Sequence, residues 1–211
     1  MYPPELVTQI ADLVRARLLS AMDQSSVVIG ISNRHVHLSQ EDLCILFGLD
    51  EFDVYRTVRQ PGEFAAVQRV TVHGPKASLE KVRCMGPCRK LSQVELSMTD
   101  ARALGIEAPV TQSGFLDDAA WLDIEGPRGV VHRKAGIIAA RHIHMSDAEA
   151  EDLGLKNQDL VSVKFDGQRG VVADNFVIRT KPEWAAEIHL DTDEANAFGV
   201  STGDFGRIVR P

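Results

Sequence analysis

The chain has 211 residues, 44% of them hydrophobic and 25% charged, with 23 Lys and Arg against 30 Asp and Glu for a formal net charge of −7. That balance fills the core of one large domain or two small ones, and the acidic excess argues against a nucleic-acid or anionic-membrane binder as a whole. Three cysteines, Cys44, Cys84 and Cys88, are too few for a disulfide scaffold, and no apolar run approaches the ~18 residues of a membrane span.

In chain order, residues 3–22 read as an amphipathic helix. Leu6, Ile10, Leu13, Val14, Leu18 and Ala21 recur at helical spacing, and Pro3 and Pro4 suit its first turn. Such a helix either packs on its own domain or docks on a partner protein. It lacks the pattern of a secretory leader, and a polar break follows it at residues 23–26. The rest is mainly β with short α-helices. Strands are predicted at 27–31, 65–73, 81–84, 94–96, 120–124, 129–132, 136–140, 160–165, 170–173, 176–179 and 186–190. Gly74-Pro75, Gly86-Pro87, Gly126-Pro127 and Asp166-Gly167 read as turns between them. Many short strands at this spacing suggest small barrels or sandwiches. Cys84 and Cys88 have no second cysteine pair and read as packed thiols flanking a turn.

An internal repeat runs through these elements. Arg34-His35-Val36-His37-Leu38-Ser39 is echoed by Arg141-His142-Ile143-His144-Met145-Ser146. Each copy leads into a short helix with the serine as N-cap and acidic residues in the first turn, Glu41 and Asp42 or Asp147 and Glu149. A second echo aligns residues 95–106 with 189–200 without a gap, setting Glu95 opposite His189.

On a strand, residues i and i+2 face the same side, roughly 6.6 Å apart. His35 with His37, and His142 with His144, can therefore each converge on one metal ion, with Glu95 and His189 as third ligands. Three protein ligands with an open fourth position describe a catalytic rather than a structural zinc site. Seven histidines yield about 0.2 His-x-His pairs by chance, yet there are two, and five of the seven histidines fall on duplicated positions. The donor set favours zinc, with iron, cobalt or manganese as alternatives. His73 and His132 have no partner pattern and read as surface or capping residues.

A basic island spans residues 76–90, where Lys76, Lys81, Arg83, Arg89 and Lys90 face only Glu80. Arg89, six residues before Glu95, brings an oxyanion-binding guanidinium close to a candidate metal. There is no Walker loop, no Gly-x-Gly-x-x-Gly, no Gly-x-Ser-x-Gly and no His-Glu-x-x-His.

These residues resemble the PduL-type phosphotransacylases, or phosphate propanoyltransferases, of bacterial microcompartments. The matching pieces are Ser32-Asn33-Arg34-His35-Val36-His37-Leu38-Ser39, Gln60-Pro61-Gly62, Gly74-Pro75-Lys76, Gly86-Pro87-Cys88-Arg89, Ser92-Gln93-Val94-Glu95, residues 141–146, and residues 189–196. The resemblance implies two related β-barrel domains from an internal duplication, with an active site between them holding two zinc ions. It implies that residues 35–140 form the first barrel domain, that 27–34 plus 141–211 form the second, and that residues 1–26 are an N-terminal helix and linker.

It further implies that Arg89 binds phosphate and that Ser32, Arg56, Arg83 and Asn196 lie near coenzyme A, with arginine at position 56 where many relatives carry lysine. The activity implied interconverts acyl-CoA, propanoyl-CoA foremost, plus phosphate with acyl phosphate plus coenzyme A, as in propanediol degradation. The expected setting is the bacterial cytoplasm, inside a microcompartment whose shell the N-terminal helix would engage, with the protein a homo-oligomer. Two other readings fit the metal pattern alone: a binuclear metallohydrolase acting on thioesters or phosphoesters, and a non-enzymatic metal-stapled microcompartment protein.

Overall fold

The computed structural model describes residues 25–209, so the predicted helix at 3–22 lies outside the described residues. The chain builds fourteen strands and four short helices in the described part: β1 (Ser26–Ser32), β2 (His35–Ser39), α1 (Gln40–Phe47), β3 (Val54–Thr57), β4 (Phe64–His73), β5 (Ser78–Arg89), β6 (Gln93–Leu96), α2 (Met98–Leu104), β7 (Val110–Thr111), β8 (Ala120–Gly126), β9 (Gly129–Ala139), β10 (His142–Met145), α3 (Asp147–Asp152), β11 (Leu160–Phe165), β12 (Val171–Thr180), β13 (Glu187–Asp191), α4 (Thr192–Phe198) and β14 (Phe205–Val209).

The strands close into two six-stranded barrels. In one, β4, β5, β2, β6 and β9 pair in that order and β8 closes the ring between β9 and β4, while β3 and β7 extend its edges. The other runs β1-β13-β10-β12-β11-β14 and back to β1. The two repeat each other. β2 lies between a parallel β5 and an antiparallel β6, as β10 lies between a parallel β12 and an antiparallel β13. Beyond those neighbours, β6 pairs in parallel with β9, and β13 in parallel with β1. Each barrel thus includes the strand that immediately precedes the Arg-His-x-His segment of the other.

Alternation along the strands sets which side chains fill the barrels. Val36 and Leu38 of β2 enter one core with Leu43, Leu46, Val94 and Ile124. Ile143 and Met145 of β10 enter the other with Ile29, Phe165, Phe176 and Ile178. The histidines between them are consequently turned out of the cores. Among the described residues every helix opens on a side chain that accepts a backbone N–H: Ser39 for α1, Ser97 for α2, Ser146 for α3 and Asp191 for α4. Each supplies a bond that the first turn otherwise lacks.

Three sequence expectations change. The segments 129–132 and 136–140 are one strand, β9, as are 170–173 and 176–179, in β12. In β12 the interruption is a bulge, with Asn175 in the left-handed region at φ 64° and a register shift opposite Val161 and Val163. Gly86-Pro87 is not a turn but lies inside β5, where a register shift separates the pairs His37–Met85 and Ser39–Arg89. The ring of Phe64 occupies the space that a Cβ at Gly86 would need. The other three Gly-Pro and Asp-Gly pairs do fall between paired strands. Cys84 is buried in the first core, and burial pushes its thiol up to about 12. Cys88 packs against the same cluster, and both thiols are free.

Candidate functional site

In the first barrel, cross-strand register places Glu95 of β6 directly opposite His35 of β2, and Gln93 opposite His37. The Nε2 atoms of His35 and His37 are 3.2 Å apart, and the Glu95 oxygens lie 3.6 Å from His35 Nε2 and 3.8 Å from His37 Nε2. Two ligands at ~2.05 Å on a tetrahedral ion stand about 3.3 Å apart, so these separations match donors sharing one cation. His35 donates from Nδ1 to the carbonyl of Asn33 at 2.8 Å, which leaves the Nε2 lone pair facing His37. Glu95 Oε1 accepts from Gln93 Nε2 at 2.6 Å and from Ser113 Oγ at 2.9 Å.

The second barrel repeats the arrangement. His189 of β13 is opposite His142 of β10, and Glu187 is opposite His144. The three imidazole centroids form a nearly equilateral triangle with sides of 4.6, 4.7 and 4.6 Å. His142 donates from Nδ1 to the carbonyl of Ala140 at 2.8 Å, the counterpart of the His35 bond to Asn33. Trp184 covers His144 with its ring centroid 4.0 Å away, and both nitrogens of His144 are buried without a hydrogen-bond partner. Buried polar atoms of this kind call for a ligand. In each cluster one donor atom from each residue lies within 4.8 Å of the others, so each group could hold a metal ion.

The electrostatics put His37, His142, His144 and Glu95 in their ligating forms. Burial, then the neighbouring charges of His35 and Arg89, holds His37 well below the usual imidazole range. Burial, then His189, brings His142 down to about 3, and burial with His189 and His142 lowers His144 as well. For Glu95 burial pushes upward, but His35, His37, Arg89 and the Ser113 bond outweigh it and bring the carboxyl down to about 2. Neutral imidazoles and an ionised carboxylate are the states that metal binding requires.

One small pocket brings residues of both clusters together, Glu95 from the first and His142 and His189 from the second. Ser32 and Asp191 line it as well. The barrels are tied across it by Gln60 Nε2, which donates to Glu187 Oε2 at 2.9 Å and to the Ala185 carbonyl at 3.1 Å, and by Thr99 N, which donates to Asp193 Oδ2 at 2.8 Å. Arg89, delivered by the shifted register of β5, donates to Ser113 Oγ at 2.9 Å and lies 3.7 Å from Glu63. It therefore stands one hydroxyl away from Glu95. Arg83 is next to His35 in the parallel register, with its guanidinium 4.3 Å from the Tyr55 ring centroid. Arg56 is exposed on β3 and Asn196 is exposed on α4. His73 bonds Ser78 and Glu125, and His132 bonds Asp123 and stacks on Trp121, both outside the two clusters.

Several residues of the site carry no local signal in the sequence. Arg34 pairs with Asp100 at 2.7 Å and Arg141 with Glu194 at 2.7 Å. Asp100 and Glu194 are the capping-box acids of α2 and α4, so the arginine of each motif ties its strand to the helix that follows the third ligand. The position of both arginines in the repeat is the one clue to this. Arg179, in register with His144, lies within range of Glu95 and Glu63 on the first barrel. Ser113, Glu63, Gln60 and Glu187 are brought in by long-range contacts alone.

Two closed barrels, each with a three-donor cluster and with Glu95, His142 and His189 on a shared pocket, define a double-barrel protein with paired candidate metal sites. A family model described as phosphate propanoyltransferase matches residues 28–201. The phosphate propanoyltransferase of Thermotoga maritima is 47% identical, covering 88% of this chain and 90% of its own. That of Rhodobacter capsulatus is 42% identical over 99% of both chains, and that of Salmonella typhimurium 43% over 92% of this chain and 94% of its own. The chain belongs to the phosphate propanoyltransferase family.

Proposed function

We propose that this protein transfers an acyl group between coenzyme A and inorganic phosphate, with propanoyl-CoA as the foremost substrate. The observation that carries this is the pair of open three-donor clusters on one cleft, with Arg89 bonded through Ser113 to Glu95. Membership of the family supports the substrate pair. His35, His37 and Glu95 would hold one metal ion, and His142, His144 and His189 the other. Zinc suits these donors and, when bound, supplies Lewis acidity toward the coenzyme A sulfur at the first site and toward a phosphate or acyl oxygen at the second.

The remaining roles belong to the chain. Arg89 grips phosphate oxygens and aims one at the thioester carbonyl carbon. A new C–O bond forms, the carbonyl electrons collect on oxygen and return, and the C–S bond breaks to release coenzyme A thiolate. Arg89 offsets the negative charge that builds during this sequence. Ser32 and Arg83 are assigned to coenzyme A because one lines the cleft and the other adjoins His35. Arg56 and Asn196 are assigned to it by family resemblance. On the same basis we assign residues 35–140 to one domain and 27–34 plus 141–211 to the other, and read the protein as a homo-oligomer housed in a microcompartment.

The test is thiol release from propanoyl-CoA with and without phosphate. Release that requires phosphate and yields propanoyl phosphate is expected. Equal release in its absence would identify a hydrolase, and none under either condition would remove the enzymatic reading.

A further inference from the structure

The two clusters differ in one respect that the repeat makes measurable. Each presents four side chains on the cleft side of paired strands: His35, His37, Glu95 and Gln93 in the first, His142, His144, His189 and Glu187 in the second. Glu95 aligns with His189 and, two residues earlier, Gln93 with Glu187. A carboxylate therefore occurs once in each set. In the first it is the third donor, oriented by the amide two residues before it, at 2.6 Å. In the second the third donor is an imidazole, and the carboxylate stands two residues before it.

Glu187 is built into that place from both barrels. Its Oε2 lies 3.4 Å from His189 Nε2 and accepts from Gln60 Nε2 at 2.9 Å. Gln60 is a buried side chain of the first barrel, only 3% exposed, held also by the Ala185 carbonyl. On the other side, Gly30 of β1 is paired with His189, and a Cβ there would strike the Glu187 carboxylate. The missing side chain makes room for the carboxylate beside the three imidazoles. Charged groups acting on Glu187 are His189 and Arg59.

We propose that Glu187 is a charge-compensating residue of the second cluster: its carboxylate, held by Gln60 and 3.4 Å from His189 Nε2, gives the all-imidazole set the negative charge that Glu95 supplies in the first. Three neutral imidazoles around a dication leave the full double charge in a half-buried site. An adjacent fixed carboxylate offsets it, as partners just outside a ligand set do in metal sites generally. Gln60 makes that offset depend on the two barrels being docked.

The inference rests on both clusters being metal sites, and zinc titration of the whole protein against a competing chromophoric chelator tests the two separately. Wild type should bind two equivalents; no binding at all would remove the underlying reading. Glu187→Gln keeps the shape and the bond from Gln60 but removes the charge. It should weaken one equivalent by about 10- to 100-fold, the usual loss when such a partner is removed, and leave the other unchanged. Glu187→Asp should recover part of the loss. Thermal melting of the metal-free variants should match metal-free wild type, which a merely structural role would not predict if affinity fell. Two equivalents bound as tightly by Glu187→Gln as by wild type would overturn the proposal.

Discussion

The first cluster contains a carboxylate donor and the second contains none, although both are built on the same pair of antiparallel strands with the same carbonyl acceptor two residues before the first histidine. The scaffold is held constant and the donor at one register position is exchanged. With a dication bound, two imidazoles and a carboxylate leave one net positive charge, and three imidazoles leave two. In the proposed reading Glu187, just outside the second donor set, makes up that difference. Near-identical frames can be specialised by a single position.

The largest expected effect breaks the comparison outright. Replacing His142 and His144 together by alanine should remove one equivalent of bound zinc and abolish transfer, while His35 and His37 replaced together should remove the other. Metal analysis of the purified variants reads this, and unaltered stoichiometry in either would refute the grouping of ligands. Next in size, Arg89→Ala should lower transfer by about 10²–10³-fold, the loss typical of a preorganised donor to developing negative charge, with both zinc equivalents retained. Activity near wild type would remove Arg89 from the chemistry.

The smallest effect sharpens the contrast through pH. In the metal-free protein His142 is brought from 6.5 down to about 3, so between those values the unfolded chain binds a proton that the native one refuses. Stability must then fall as pH drops from 6.5 toward 3. Glu95, brought from 4.5 down to about 2, adds a loss only below 4.5. Melting of the metal-free protein between pH 7 and 5 should therefore respond to His142→Gln, which makes the slope shallower, while the lowered His37 and His144 sustain the rest of it. An unchanged slope in His142→Gln would show that another group governs this window.

Much of this site is legible in the residues because duplication wrote it twice. The six candidate donors lie at positions that the i, i+2 spacing and the repeat already group, and the structure gathers them into the two sets that the repeat implies, whereas Arg89 lies beyond the predicted strand 81–84 at the end of β5. Strands β3, β7 and β14 escape prediction for opposite reasons. β3 is wholly exposed and lacks an apolar alternation, β7 is two residues long, and β14 follows a helix with only a brief apolar run. The interruptions in β9 and β12 are outward polar residues and a bulge, which look like loops in one dimension. Gln60 and Ser113 are invisible for a further reason: each acquires its role from a partner at least 18 residues away or on the opposite barrel.

The exchange of β1 between the halves makes the cleft inseparable from the integrity of the second barrel. A polypeptide severed after residue 140 would leave its downstream piece with five staves and a gap between β13 and β14, while the missing stave, with Gly30 and Ser32, stayed on the upstream piece. Neither fragment could restore that wall alone. Mixed together, they would have to re-zip β1 into the gap, and that same act would rebuild the crevice along which both donor sets lie.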